Sequence, residues 1–196
     1  MKPDFIALSR KYKTPSQVQK LIRTFPYNKE EERETQRSAL SALQAGSMHC
    51  LESVLVAAAI LENRGYPPLI LSLESVDNLD HVIFIFKENS GWGSVGKSRM
   101  EGLHGRSPVF RSVRDLAWSY FDPFIDETGR LKAYGVANLD ELRGAWRDSG
   151  KNLWCLVDDL IHLRHKKMMS SEMRYQRFYN YFKRTGNSGI RQSFWW

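Results

Sequence analysis

A chain of 196 residues, 42% apolar and 26% charged, fits one domain able to bury its own core. Its longest apolar run, the eight residues 54–61, falls far short of the ~20 that cross a bilayer, and the opening Met1-Lys2-Pro3-Asp4-Phe5 leads into polar Ser9-Arg10-Lys11 with no signal-peptide core. The two cysteines, Cys50 and Cys155, both fall in apolar helical patterns, so free thiols in a reducing cytoplasm are expected rather than a bridge. The net charge of +7 belongs to the tail: residues 164–196 hold eight Lys and Arg against Glu172 alone, and residues 1–163 sum to zero.

In chain order, Thr14-Pro15-Ser16-Gln17 has capping-box spacing with Pro at the first helical position, which predicts a helix over 15–24. A charged connector over 28–34 precedes a second helix at 35–45, closed near Gly46. The third helix, over 48–64, is apolar nearly all round, the mark of a central, buried helix. After Tyr66-Pro67-Pro68 the period changes to that of strands at 69–73 and 81–86. Asn89-Ser90-Gly91 reads as a hairpin turn leading to a third strand over 92–95. A helix over 112–120, a loop over 122–130, a short helix capped by Asn138, and helices over 152–165 and 171–184 complete the chain. Helices, then an antiparallel run, then helices again give an α+β class.

The chemistry concentrates where Gly46-Ser47-Met48-His49-Cys50 runs into the apolar third helix. A cysteine at a helix N-terminus meets the positive end of the macrodipole, which favours thiolate over thiol. His81 opens the second strand and is a candidate proton partner. Fifteen residues separate Cys50 from the exit Gly65-Tyr66-Pro67, His81 lies in Asp80-His81-Val82, and the hairpin leads to Gly91-Trp92. In these residues the stretch 46–98 resembles the core of the transglutaminase-like, papain-like superfamily and is similar to small bacterial proteins of that type. The resemblance implies a central helix packed on a small antiparallel sheet with flanking helices. It also implies Cys50 as nucleophile and His81 as its base, acting in acyl transfer or amide hydrolysis without a cofactor. The family places an acid a few residues after the Trp to orient the His. Here Trp92-Gly93-Ser94-Val95-Gly96-Lys97-Ser98 offers none, with Ser94 the nearest polar group on the same face. Asp80 adjoins His81 and so points to the opposite face of the sheet.

Two further patterns compete. Residues 91–98 match the phosphate-loop pattern G-x-x-x-x-G-K-[ST] in full, which requires a loop of backbone N–H groups between a strand and a helix N-terminus. Arg99-Met100-Glu101-Gly102-Leu103-His104-Gly105, with two glycines, makes a poor helix, so the hairpin is favoured. In the tail, Tyr175, Phe178, Tyr179 and Phe182 share one helix face while Arg174, Arg177, Lys183 and Arg184 lie mostly off it. That face packs on the body or, alternatively, docks on nucleic acid or an anionic membrane surface.

The expectation is therefore a domain over 1–163 with a basic, aromatic arm over 164–196. Cys50 attacks a peptide or protein amide, His81 moves the proton, Ser94 supports His81, and Trp92 and Lys97 contact substrate. No metal or cofactor is called for. The alternatives are the same scaffold with a degenerate site acting as a binding module, and nucleotide binding at 91–98.

Overall fold

The computed structural model describes residues 4–78, 80–125 and 129–186. The terminal Phe194-Trp195-Trp196, an expected anchor or sticky arm, lies outside them.

Four helices come first: α1 (Phe5–Lys11), α2 (Pro15–Thr24), α3 (Ala39–Ala45) and α4 (Cys50–Leu61). The Thr14 hydroxyl caps α2 as its spacing predicts, and Gly46 ends α3 in the left-handed region at φ 70°, where a side chain would be strained. The second helix starts four residues later than its sequence suggests. Thr35 and Arg37 spend their backbone N–H groups on the carboxylates of Glu30 and Glu52, so the segment is pinned in extended form until Ser38 caps α3. In α4 every residue from Leu51 to Leu61 is buried, as an all-round apolar helix must be.

The strands are β1 (Leu69–Ser75), β2 (His81–Glu88), β3 (Gly91–Val95), β4 (Arg106–Phe110), β5 (Leu131–Asn138) and β6 (Lys166–Lys167). They form one antiparallel sheet in the order β4-β3-β2-β1-β5-β6. The two central strands alternate between two cores. Ile70, Val82, Phe84 and Phe86 pack with α4 on one face. Leu71, Leu73, Ile83 and Ile85 pack on the other with Leu116, Tyr120 and Phe121, brought there by α5 (Val113–Trp118) and the turn after it. The fold is α+β, with α4 central against the sheet and helices on both faces.

The C-terminal third adds α6 (Trp154–Ile161) and α7 (Glu172–Thr185). From residue 164 to 186 the described chain stays on the body: Lys166 and Lys167 pair with Tyr134 and Ala133 of β5, and Tyr175, Phe178 and Tyr179 of α7 pack against the second core. Arg174 forks onto Asp122 at 2.8 and 3.0 Å, and Arg130 meets Glu172 at 2.9 Å. Asn138 caps a single 3-10 turn rather than a helix.

The phosphate-loop reading is overturned. Gly91–Val95 is strand β3, bonded to β2 on one side and β4 on the other, and the residues that follow make a loop and a 3-10 turn instead of a helix. The N–H groups of Gly91–Val95 are in a paired strand, and that of Gly96 is taken by Gln19, so no phosphate-cradling loop forms.

Candidate active site

Cys50 is the first residue of α4 and His81 the first of β2. The β2–β3 ladder begins only at Phe84 and Val95, so the β3 side of His81, Val82 and Ile83 is open to other groups. The Gln19 carboxamide takes part of that space, accepting from the N–H of Gly96 at 2.9 Å and donating to its carbonyl at 3.0 Å. The loop that follows carries Leu103, whose carbonyl oxygen lies 2.9 Å from Nε2 of His81. A carbonyl can only accept, so Nε2 bears the proton and Nδ1 is left to deal with the thiol.

Cys50 is only partly exposed, and its sulfur is hydrogen-bonded to both His49 and His81. Burial pushes the thiol pKa up, but those hydrogen bonds and the charges of the two rings outweigh it and bring the thiol down to about 5. That favours the thiolate at neutral pH.

His49 adjoins Cys50 in the chain, and among the described residues no group of three His, Cys, Asp or Glu side chains could hold a metal. Its place is electrostatic. It is the N-cap of α4, its Nε2 donates to the Thr35 carbonyl at 2.8 Å, and Glu52 and Glu30 stand 3.6 and 3.8 Å away. Burial works against its charge, but the bond to Cys50, the charges of Cys50 and Glu52 and the Thr35 carbonyl raise its pKa to about 9. An imidazolium thus adjoins the thiolate.

Glu52, fully buried, holds this end of α4 together. It accepts from Arg37 Nε at 2.6 Å and Nη2 at 2.9 Å, from the Thr35 hydroxyl at 3.1 Å, from Asn28 at 3.3 Å and from the His49 N–H at 3.1 Å. Burial raises its pKa, and the Arg37 bonds with the His49 charge more than reverse that, leaving it below the ordinary carboxylate range. One charged residue in an otherwise apolar helix, three positions after the N-cap, was the signal for it.

Tyr27 is brought here by pairing of its segment with residue 48: Asn28 N–H bonds the Met48 carbonyl and Met48 N–H the Pro26 carbonyl, both at 3.2 Å. Its phenol lies against Cys50 and takes a hydrogen bond from that residue's backbone. Burial and then the Cys50 charge raise its pKa, so it stays protonated.

The other expected site residues fare differently. Ser94 is engaged with the loop beyond β3: its Oγ is bonded to the Tyr120 hydroxyl at 2.7 Å and accepts the Arg106 N–H at 2.9 Å. Tyr120 in turn donates to the His104 carbonyl at 3.0 Å, and Arg106 donates to the carbonyls of His104 at 2.6 Å and Gly102 at 2.5 Å. Ser94 therefore braces the loop that presents Leu103. Trp92 is not brought to the site. It pairs with Lys87, six residues along β2 from His81, which is about 20 Å of strand, and its ring packs on the second core. Lys97 is buried just beyond β3, on the loop that flanks His81. Cys155 is a second free thiol, partly exposed, in α6. A groove of about 580 Å³ beside Trp118, Asp122 and Arg174 is lined by none of the site residues. No helix among the described residues is long and apolar enough to cross a membrane.

No family model and no curated protein matches the chain. Among solved structures it is similar to Legionella pneumophila LapG. The calcium-bound form aligns with a TM-score of 0.41 and 15% identity over 76% of this chain and 77% of LapG. The EGTA-treated form gives 0.39 and 12% over 74% and 76%, and a further LapG structure 0.38 and 11% over 64% and 67%. At this distance the likeness concerns the course of the chain and nothing of its chemistry.

Proposed function

We propose that the protein is a cysteine-dependent acyltransferase or amide hydrolase acting through a thioester on Cys50. One observation carries this reading: the thiol of a half-buried residue at a helix N-terminus, hydrogen-bonded to two imidazoles that bring its pKa to about 5. A structural cysteine gains nothing from such a setting, and perturbed nucleophiles cluster at functional sites.

The Cys50 thiol gives its proton to Nδ1 of His81, the thiolate attacks the amide carbon, and the carbonyl π electrons move onto oxygen. The protonated Tyr27 hydroxyl is the donor for that oxyanion, aimed by the hydrogen bond that its oxygen accepts from the Cys50 backbone. Collapse breaks the C–N bond, and His81 supplies the proton to the departing amine. Water or an acceptor amine then attacks the thioester, gives a proton to Nδ1 of His81, and releases the thiol as thiolate. The Leu103 carbonyl fixes the tautomer and steadies the imidazolium, the task an acid performs in related sites. A carbonyl dipole supports that cation less than a full negative charge, and the His49 imidazolium compensates on the thiolate side.

The test is incubation with a peptide mixture followed by hydroxylamine. A hydroxamate formed with the natural chain and absent with Cys50→Ala supports the reading. No acyl adduct on Cys50 and no new peptide termini would turn it into the degenerate binding scaffold.

A further inference from the structure

The face of α7 turned away from the body carries charges and apolar tips that no step of the proposed chemistry uses. Tyr175, Phe178 and Tyr179 spend the other face on the second core, so the aromatic rings are not what this helix offers outward. Met173, Arg177, Asn180 and Arg184 recur at the i, i+4, i+7 and i+11 spacing of one helical stripe, and all four are exposed. Met169 stands just before the helix. It lines the groove that holds Arg114 and Arg174 on one side and a second groove, of about 380 Å³, that holds Lys132 and Lys167 on the other.

The acids near this surface are already engaged. Glu74 lies 3.1 Å from Lys132, Asp122 accepts from Arg174 at 2.8 Å, Glu172 accepts from Arg130 at 2.9 Å, and Asp115 holds the Ser112 hydroxyl at 2.7 Å. Arg114, Lys167, Arg177 and Arg184 make no ion pair among the described residues, so the surface keeps an excess of positive charge. In its midst Met169 and Met173 are each 82% exposed, more than any other large apolar side chain among the described residues. Charge alone suits any polyanion, but the methionines narrow the partner. Phosphates of a nucleic acid gain nothing from an apolar tip, and stacking of bases needs rings that here face inward. The headgroup layer of a bilayer takes both, apolar tips at the acyl boundary and cations at the anionic lipids.

We infer that the outer face of α7, with Met169 and the basic residues beside it, docks the protein on an anionic lipid bilayer. The two methionine tips enter the headgroup layer, and Arg114, Lys167, Arg177 and Arg184 meet the anionic lipids around them. Because α7 packs on the second core and α4 on the first, at opposite faces of the sheet, the docked molecule turns its α4 side to the water. The inference is independent of the chemistry at Cys50.

The experiment is sedimentation with vesicles of phosphatidylcholine, with and without phosphatidylglycerol, beside binding to a DNA duplex of mixed sequence. The natural chain should bind the anionic vesicles but not the neutral ones, and should lose its hold as salt screens the charges. Arg177→Gln with Arg184→Gln should weaken vesicle binding about thirtyfold, about fivefold for each basic residue at an anionic surface. Met169→Ser with Met173→Ser should weaken it about fivefold, the scale of about one buried methylene group. Lys20→Gln on α2 and Ile161→Ser on α6 remove an exposed charge and an exposed apolar side chain from elements that pack on the first core, and should bind as the natural chain does. All the altered side chains are exposed, so the melting temperatures should hold. No binding to anionic vesicles, or binding unmoved by the arginine pair, overturns the proposal. Equal weakening by the two control variants overturns it as well, leaving only the general attraction of a basic chain. Duplex DNA bound as tightly as the vesicles, with the methionine pair without effect on either, overturns it in favour of a nucleic acid.

Discussion

His81 gives its Nε2 proton to the main-chain oxygen of Leu103 at 2.9 Å, so a backbone carbonyl occupies the place where an acid was sought. No side chain in the sequence encodes that contact. It depends on the loop after β3, tied by Ser94, Tyr120 and Arg106 through hydrogen bonds to backbone groups.

The first expected outcome concerns that pair. Cys50 alkylates with iodoacetamide far faster than Cys155 at neutral pH, and its rate falls off only as pH drops through about 5. His81→Ala moves this midpoint toward the ~8.5 of a free thiol. Rates for the two cysteines that match across the pH range would contradict the geometry.

His49 has its own signature. With its pKa raised to about 9 from the ordinary 6.5, its contribution to stability is fully present below 6.5 and disappears as pH rises through 9. His49→Gln should flatten the alkaline fall of the melting temperature and raise the Cys50 pKa. Unchanged thiolate absorbance in that variant would show that the second imidazole is idle.

Glu52→Gln should cost about 3–5 kcal/mol, the usual effect of breaking a buried ion pair by removing one partner. Because the folded-state pKa of Glu52 is depressed, its stabilisation is present above the unfolded value of ~4.3 and is lost as pH falls below it. Urea titrations of both chains should therefore converge in acid. Parallel curves down to low pH would place the carboxylate outside the network.

Much of this molecule was legible in its sequence. The all-round apolar pattern of α4 and the alternation of β1 and β2 fix the central layer, because burial dictates those periods. Strand β5 was not: Lys132-Ala133-Tyr134-Gly135 has little strand propensity, and it is a strand because it pairs with β1 along its length. Pro108 in β4 is tolerable only at an edge, where that strand lies. At the site, Cys50 and His81 were expected from spacing, whereas Tyr27 and Leu103 are brought in by contacts between distant segments, and His49, though adjacent to Cys50, is set by the bond of its ring to Thr35. Trp92 was misplaced because a matching motif position says nothing of how far along the strand it lies from His81.

Magnesium with ATP or GTP should leave the melting curve unmoved. Binding to the folded state would add about 2.7 kcal/mol at a hundredfold excess over the dissociation constant, an easily measured shift. Gly91–Val95 is a strand paired with β2 and β4 rather than a loop opening a helix, so it offers no phosphate cradle. A nucleotide-dependent shift abolished by Lys97→Ala would refute this.

Tyr27→Phe separates binding of the oxyanion from generation of the thiolate. The phenol lies against Cys50, where burial and the thiolate charge both keep its proton on. Removing the hydroxyl takes away a donor to the developing oxyanion but no base and neither imidazole. Acyl transfer to hydroxylamine should fall about 10²-fold, the scale of losing one oxyanion donor. Iodoacetamide passes through no oxyanion, so its rate with Cys50 should stay within about twofold, and the thiol pKa should drop slightly as burial by the phenol eases. If both reactions slow together, Tyr27 acts on the thiol itself. If neither changes, the Cys50 N–H at the head of α4 holds the oxyanion without it.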